Sequence, residues 1–141
     1  MNKLALGTAQ FGMSYGIANQ HSKIKLENIK DIIKTAREKN IHLVDTAIAY
    51  GNSESIIGKI GILDFKFVTK LPSLPKIKVA NISSWVEDQI KLSLKRLGIQ
   101  SLYGLLIHRS EDLLGDKGEK ILNALNNLKS RGLVKKIGLS I

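Results

Sequence analysis

The sequence predicts an α/β fold of the (β/α)8 TIM-barrel type, present as a truncated barrel of about five parallel strands and four helices. Three observations lead to this prediction. Short apolar strands alternate with amphipathic helices along the whole chain. Polar residues follow the ends of successive strands, which is where a barrel of this type builds its active site. The 141 residues are also about half of the roughly 250 that a complete barrel takes.

A doubly wound sheet would produce the same alternation of strands and helices, so the pattern alone does not exclude that fold. However, the segment from Leu6 to Gly12, which follows the first strand, lacks the GxGxxG spacing of a dinucleotide-binding fold. No Walker A sequence occurs either. The predicted strands are continuous apolar runs, as expected when both faces of a parallel sheet are covered.

The first elements are a strand, a loop and a long helix. A short apolar strand at 4–8 leads into a loop at 11–16 that contains glycine. A helix is expected over 26–39, because apolar residues recur there at helical spacing, namely Leu26, Ile29, Ile32, Ile33 and Ala36. Asn40 is expected to end this helix in the left-handed conformation.

The central part of the chain contains two strands with a short helix between them. The second strand is expected over 41–46, and the helix begins near Ser53, a residue suited to the N-cap position. The third strand spans about 65–70, and Pro72 and Pro75 prevent it from continuing.

A second long helix precedes the fourth strand. Ser84 and Glu87 have the spacing of a capping box that opens this helix, and Gly98 is expected to end it. Its apolar positions are Val86, Ile90, Leu94 and Leu97. The fourth strand is expected over 102–107.

The last predicted helix lies near 119–131 and ends at Gly132. It would bury Ile121, Leu125 and Leu128 on one face. The fifth strand is expected over 136–141, which completes a strict order of strand and helix.

The composition narrows the class of protein. With 43% hydrophobic and 24% charged residues, the chain is typical of a globular protein. It contains no cysteine, and its three histidines form no HExxH pair, so neither a disulfide framework nor a metal site is expected. The amino terminus does not have the apolar run of a signal peptide, and no segment approaches the length of a membrane helix. A cytoplasmic protein without membrane contact is therefore expected.

The chain is strongly basic, with 22 Lys and Arg against 12 Asp and Glu. Such a surplus suits a polyanionic partner, but the lysines are spread along the chain without interleaved aromatic residues or a nucleic-acid-binding motif. Solvent-facing lysines on helices explain the same charge, as at Lys30 and Lys34. We therefore do not expect a nucleic acid as partner.

Four side chains capable of acid–base chemistry follow successive predicted strands. Asp45 ends the second strand, and Tyr50 lies five residues further on. Lys70 ends the third strand, and His108 directly follows the fourth. Since parallel strands end at the same edge of a sheet, these groups are expected to meet, and together they suggest proton transfer to a carbonyl oxygen.

These residues resemble the amino-terminal half of an aldo-keto reductase. The resemblance covers essentially the whole chain, from Leu-Gly-Thr-Ala-Gln-Phe-Gly at 6–12 to Gly-Leu-Ser at 138–140. The family's Asp-Thr-Ala-x-x-Tyr-Gly-x-Ser-Glu signature matches Asp45–Glu54 without a gap. Lys70, within Val-Thr-Lys, and His108, within Leu-Leu-Ile-His, fall at the family's strand-three lysine and strand-four histidine. The resemblance implies that residues 1–141 form the amino-terminal half of one barrel domain.

The implied activity is the reduction of aldehyde or ketone carbonyls, sugars among them, with NADP(H) as hydride donor. Tyr50 would be the proton donor. A free phenol has a pKa near 10, and a nearby ammonium favours its phenolate, a role that Lys70 would fill. Asp45 would be the ion-pair partner of Lys70, and His108 would bind the substrate oxygen or share the proton relay. His21 and His42 are expected to have no catalytic role.

The resemblance also implies a cofactor site. Ser140 would contact the nicotinamide carboxamide, and Gly7 and Thr8 would belong to the same cofactor-binding set. Where the family commonly has Asn after the serine, this chain has Ile141. Barrel enzymes often hold phosphate in the loops after strands seven and eight, which this sequence does not contain.

Three interpretations therefore remain open from the sequence. The chain is a reductase domain that needs the rest of the barrel, a non-catalytic barrel module that binds a ligand or partner, or a half-barrel that dimerises. Open strand edges would favour self-association. The substrate loops of this family lie partly outside this sequence, so the identity of the carbonyl compound is not predicted.

Overall fold

The computed structural model describes residues 3–16 and 24–141; the expectation for His21 lies outside these residues. Its centre is a sheet of five parallel strands that follow one another in chain order. The strands are β1 (Leu6–Gly7), β2 (Leu43–Asp45), β3 (Lys66–Leu71), β4 (Leu102–Ile107) and β5 (Val134–Leu139). Parallel strands in sequential order, each joined to the next through helix, are the arrangement of a β/α barrel wall.

Five α-helices accompany these strands: α1 (Ala9–Gly12), α2 (Leu26–Glu38), α3 (Ser53–Ile60), α4 (Ile82–Leu97) and α5 (Gly115–Ser130). Short 3₁₀ turns at Val79–Asn81 and Ser110–Leu113 precede α4 and α5. The sequence predicted four helices, and the additional one is α1. A single turn of four residues is too short to show a helical period, so the pattern predicted a loop there.

Two predicted helix caps are wrong, although α3 does begin at Ser53 as expected. Ser53 is not an N-cap but the first residue of α3, and its hydroxyl donates to Thr8 O at 2.9 Å across the chain. Ser84 does not open α4 with Glu87, because the helix already begins at Ile82 and the Ser84 hydroxyl donates to Asn81 O. In both cases the hydroxyl donates to a carbonyl oxygen earlier in the chain. It does not cap the main-chain N–H groups of the first helical turn, as the capping pattern predicted.

The predicted helix ends are confirmed. Asn40 follows α2 with φ 56°, a left-handed conformation that Asn tolerates better than most residues. Gly98 ends α4 with φ 69°, and Gly132 follows α5 with φ 75°. These left-handed residues turn the chain back toward the sheet, so that each following strand starts close to its parallel neighbour.

The core lies between the sheet and the helices. One apolar cluster contains buried side chains from α2, α3, α4, α5 and all strands from β2 to β5. Its fully buried members include Ile29, Ile57, Ile90, Leu105 and Ile121. Burial of a side chain of this size stabilises a fold by about 1.5–3 kcal/mol, so this cluster anchors the helices on the sheet.

The register of the strands places the polar residues of the sequence at one edge of the sheet. Gly7 pairs with Asp45, and Lys70 pairs with Leu106. The fifth strand starts at Val134, two residues before the predicted position, and Ile107 pairs with Leu139. In consequence, the carboxyl ends of the strands gather the residues that the sequence singled out.

Candidate active site

Lys70 is the centre of the polar cluster at this edge. It lies at the end of β3, one residue before its last, and is 5% exposed. Its ammonium donates to Asp45 Oδ2 at 2.7 Å, to Thr46 O at 3.0 Å and to Tyr50 Oη at 3.4 Å. Three acceptors therefore use the three donors of the ammonium, which allows a nearly buried cation at this position.

The segment between β2 and α3 carries Tyr50 to this cation. It first runs alongside β3, since Thr46 N donates to Val68 O and Ile48 N donates to Lys70 O. It then turns, with Tyr50 N donating to Ala47 O. The turn brings the Tyr50 ring over Lys70, whose Nζ lies 5.0 Å from the ring centroid.

Two glycines allow this turn to pack tightly against α1. A Cβ on Gly12 would collide with the carbonyl oxygen of Tyr50 and would approach Ser53 N. Gly51 has φ 57°, the left-handed conformation that favours glycine, and it too faces Gly12 O. The close approach of α1 thus limits movement of the Tyr50 main chain.

His108 also lies against the Tyr50 ring. The two rings are 6.0 Å apart at their centroids and nearly perpendicular, at 82°. Burial of the imidazole, and then the charge of Lys70, hold the pKa of His108 below its usual value of 6.5. Asp45 opposes this shift in pKa and Arg109 adds to it. A neutral imidazole at pH 7 can either accept or donate a hydrogen bond.

A buried group of hydroxyls lies beneath these residues. Thr8, Thr46 and Ser53 are each 0% exposed. The Ser53 hydroxyl contacts Thr8 Oγ1 at 3.1 Å and Thr46 Oγ1 at 3.2 Å, and Thr8 Oγ1 donates to Asp45 O. These bonds join β1, β2 and the start of α3 next to Asp45 and Tyr50.

A second buried group surrounds Glu54, whose side chain is only 3% exposed. Thr69 Oγ1 and Ser93 Oγ each donate to Glu54 Oε1 at 2.7 Å. Arg96 Nε donates to Oε2 at 2.8 Å, and its Nη2 lies 2.7 Å from the same oxygen. The carboxylate thereby links α3, β3 and α4 beneath the carboxyl edge of the sheet.

An open cavity of about 360 Å³ adjoins Tyr50 and Asp45. Its other lining residues are Gly7, Thr8, Ala9, Gln10 and Tyr15. Gln10 Nε2 donates to Tyr15 O, which folds the loop after α1 toward the cavity. No atom lies within 4 Å of the position that a Cβ on Gly7 would take, so the main chain there leaves room for a ligand.

Of the residues predicted for the site, the structure brings Asp45, Tyr50, Lys70 and His108 together. Gly7 and Thr8 line the adjoining cavity, although the Thr8 hydroxyl is turned into the buried group. Ser140 follows β5 on the same edge, and its N donates to Ile107 O. Ile141 is exposed.

The sequence did not indicate the interactions of Glu54 or the position of Gln10 and Tyr15 at the cavity. Among residues 3–16 and 24–141, no group of His, Asp or Glu has the number and arrangement to hold a metal ion. No helix in the same ranges is long and apolar enough to cross a membrane.

Comparisons with known proteins extend this description. The sequence model of the protein family described as "Aldo/keto reductase family" matches residues 3–141. A solved structure from Pseudomonas aeruginosa, assigned as an aldo-keto reductase, is 30% identical with a TM-score of 0.78, and the match covers 96% of this chain and 54% of that one. No curated protein matches the sequence.

Two further solved structures share the fold at lower identity. The aldo-keto reductase AKR11C1 from Bacillus halodurans (holo form) has a TM-score of 0.74 at 20% identity, over 98% of this chain and 45% of that one. The glycerol dehydrogenase AKR11B4 from Gluconobacter oxydans has a TM-score of 0.68 at 22% identity, over 96% of this chain and 43% of that one. This chain spans about half the length of the structures it matches, which confirms the predicted truncated barrel.

Proposed function

The chain belongs to the aldo/keto reductase family, and we propose that it carries the proton-transfer residues of an NAD(P)H-dependent reductase of aldehydes or ketones. The contact that supports this proposal is the one between Tyr50 Oη and Lys70 Nζ, at 3.4 Å. A phenol beside a cation is suited to give up its proton, because the positive charge stabilises the phenolate that remains.

Tyr50 is the proposed general acid. When a hydride is added to a carbonyl carbon, negative charge develops on the oxygen, and a positioned acid that donates a proton at that moment lowers the barrier. The Tyr50 hydroxyl borders the cavity described above, where a carbonyl oxygen can approach it. Its oxygen accepts the hydrogen bond from Lys70, which leaves its own proton available to the substrate.

Lys70 and Asp45 support the acid. The ammonium of Lys70 is nearly buried, so without a counter-ion it would be costly to keep charged. Asp45 supplies that charge at 2.7 Å. The pair thus keeps a positive charge next to Tyr50 throughout the proton transfer.

His108 is the proposed second partner of the substrate oxygen. Its lowered pKa makes the imidazole neutral near pH 7, so that one ring nitrogen can donate a hydrogen bond without adding a charge. The imidazole is nearly perpendicular to the Tyr50 ring, with the ring centroids 6.0 Å apart, so it lies close to the proposed acid.

NADP(H), when bound, supplies the hydride. Gly7, Thr8 and Ser140 are the proposed residues that hold it, at the edge where β1 and β5 end. The open space at Gly7 fits this role, because a ligand can approach the main chain there. The Thr8 side chain is engaged in the buried hydroxyl group, so its proposed contact is through the main chain.

Residues 1–141 are further proposed to be the amino-terminal half of one (β/α)8 barrel domain. The match covers essentially this whole chain but only 54% of the P. aeruginosa structure. Activity therefore requires the remaining strands, whose loops hold cofactor phosphates in many barrel enzymes. The proposed partner is a small carbonyl compound, with sugars included, and a cytoplasmic location stays a prediction.

The test is an assay of the protein encoded by the full reading frame that contains this chain. Oxidation of NADPH is followed spectroscopically with a panel of aldehydes, ketones and reducing sugars, with the substrate omitted as control. We expect carbonyl-dependent oxidation of NADPH. Absence of turnover across the panel with both NADPH and NADH would contradict the proposed activity.

A non-catalytic role is the second candidate. The observation that favours it is the sheet order, which leaves β1 and β5 without a second neighbour within the described residues. Unpaired edges of this kind favour association with another chain. Light scattering of the 141-residue chain and fluorescence titration of the protein of the full reading frame with NADPH separate the candidates: a stable dimer of the chain, together with no NADPH binding by the full protein, supports the second.

A further inference from the structure

The buried carboxylate of Glu54 has no role in the proton transfer proposed above. It nevertheless accepts hydrogen bonds from three side chains, Thr69, Ser93 and Arg96, at 2.7–2.8 Å, and forms an ion pair with Arg96. A charge this deeply buried is costly, and a fold seldom retains one unless its partners are fixed in place. The position of those partners indicates what Glu54 does.

Glu54 lies four residues after Tyr50, on the first turn of α3. Its partner Thr69 directly precedes Lys70 on β3. The Thr69–Glu54 bond is therefore a direct side-chain link between the segment that carries the phenol and the strand that carries the ammonium.

The other partners of Glu54 prevent it from moving. Ser93 and Arg96 both belong to α4, and they donate to Glu54 Oε1 and Oε2 respectively. The backbones of α3 and α4 touch at this level, since a Cβ on Gly58 would collide with the carbonyl oxygen of Arg96. Glu54 is thus fixed on α4, and β3 is aligned to Glu54 through Thr69.

We propose that Glu54 is a positioning residue, which acts through Thr69 to fix the distance between Tyr50 Oη and Lys70 Nζ. This inference rests on the proposed function for its catalytic consequence, but its structural consequence is measurable without turnover. A shift of about 1 Å in a reacting group can lower a rate by up to about a hundredfold. The contact at 3.4 Å is at the long limit of a hydrogen bond, so a small shift of β3 removes it.

Two substitutions distinguish positioning from simple stabilisation. Thr69→Val and Ser93→Ala each remove a hydroxyl that is 0% exposed and lies 2.7 Å from the same oxygen, Glu54 Oε1. If Glu54 only stabilises the fold, losing either hydroxyl has a similar effect on the site. If Glu54 positions Lys70, Thr69→Val alone changes the site, because Arg96 still holds Glu54 Oε2 in Ser93→Ala. Thr69→Ser, which keeps the hydroxyl, restores the site.

The imidazole of His108 reports the position of Lys70 independently of activity. Burial and then the charge of Lys70 lower the pKa of His108, against the opposing effect of Asp45 and with a smaller one from Arg109. In Thr69→Val, the ammonium of Lys70 is expected to move away from His108, which raises the midpoint of the His108 titration. NMR on the protein without cofactor measures this midpoint. Ser93→Ala and Thr69→Ser should keep the midpoint of the parent protein.

The kinetic arm uses the protein of the full reading frame. Thr69→Val is expected to lower kcat about tenfold or more with KM for the carbonyl within about twofold, whereas Ser93→Ala changes kcat by less than about twofold. Equal effects of the two substitutions on the titration, or no effect of Thr69→Val, would overturn the inference. If the parent protein has no reductase activity, the proposed function fails while the titration still decides the positioning role.

Discussion

The ammonium of Lys70 and the carboxylate of Asp45 form an ion pair whose two members differ in burial. Their atoms Nζ and Oδ2 are 2.7 Å apart, while the side chain of Lys70 is 7% exposed and that of Asp45 is 37% exposed. The lysine therefore depends on the aspartate more than the aspartate depends on the lysine, because only Lys70 lacks water as an alternative partner. The stability of the site and its chemistry both follow from this asymmetry.

Replacing Asp45 with Asn is expected to destabilise the fold by about 1–3 kcal/mol. The substitution keeps the size of the side chain but leaves the nearly buried ammonium of Lys70 without a counter-charge. Urea unfolding at neutral pH measures the change. The additional substitution of Lys70 with Met should recover part of the loss, since it removes the uncompensated charge.

The pair of Arg37 and Asp64 provides a matched control. Its atoms are as close, with two hydrogen bonds at 2.6 and 2.8 Å, but both side chains are almost half exposed. Exposed ion pairs contribute little because water screens their charges, so Asp64→Asn should cost less stability than Asp45→Asn. A larger cost for Asp64→Asn would contradict the importance of burial at Lys70.

The titration of His108 is expected to have a midpoint below 6.5. Burial of the ring and the nearby ammonium of Lys70 both disfavour its protonated form. NMR of the imidazole protons across pH 4–8 measures the midpoint, with a His108→Gln variant to assign the signal. A midpoint above 6.5 would show that Asp45 outweighs these two effects.

The same shift predicts how stability depends on pH. Between the folded-state pKa of His108 and the unfolded value of about 6.5, the unfolded chain binds more protons than the folded one. The free energy of unfolding should therefore rise with pH through this window and become independent of His108 above it. In His108→Gln this part of the rise should disappear from urea unfolding measured at successive pH values.

Gly12→Ala is expected to destabilise the fold by about 1–3 kcal/mol. The added methyl group would collide with backbone atoms, the carbonyl oxygen of Tyr50 and the nitrogen of Ser53, which cannot rotate away as the end of a flexible side chain can. Gly7→Ala is the matched control, because no atom lies within 4 Å of the new Cβ there. Thermal unfolding compares the two, and equal losses would show that the contact between Gly12 and Tyr50 is not tight.

The sequence predicted the alternation of strands and helices correctly. It placed the ends of the helices more accurately than their starts. The fourth strand, Leu102–Ile107, was predicted residue for residue, because Gly98 and the polar residues after it bound an apolar run. The start of α4 was placed too late, since Ser84 has the pattern of a capping box while the helix begins at Ile82, directly after a 3₁₀ turn at Val79–Asn81. Local patterns cannot show which of two neighbouring segments starts a helix.

The proximity of Asp45, Tyr50, Lys70 and His108 was also predictable, since all lie at or just after the carboxyl ends of parallel strands. The buried interactions of Glu54 were not. Its partners lie 15 to 42 residues away along the chain, and a Thr or Ser within an apolar strand or helix gives no sign of the carboxylate it will contact. Such polar contacts follow from packing, which only the folded structure specifies.

The effect of Tyr50→Phe on carbonyl reduction tests the central claim most directly. The substitution removes only the hydroxyl that contacts Lys70, and Tyr103→Phe, on the second residue of β4 at the opposite end of the sheet, is its control. With the protein of the full reading frame, NADPH and a reducible aldehyde, Tyr50→Phe should lower kcat by about 10²–10⁴-fold, while Tyr103→Phe retains activity. Undiminished turnover by a folded Tyr50→Phe variant would contradict the assignment of Tyr50 as the acid.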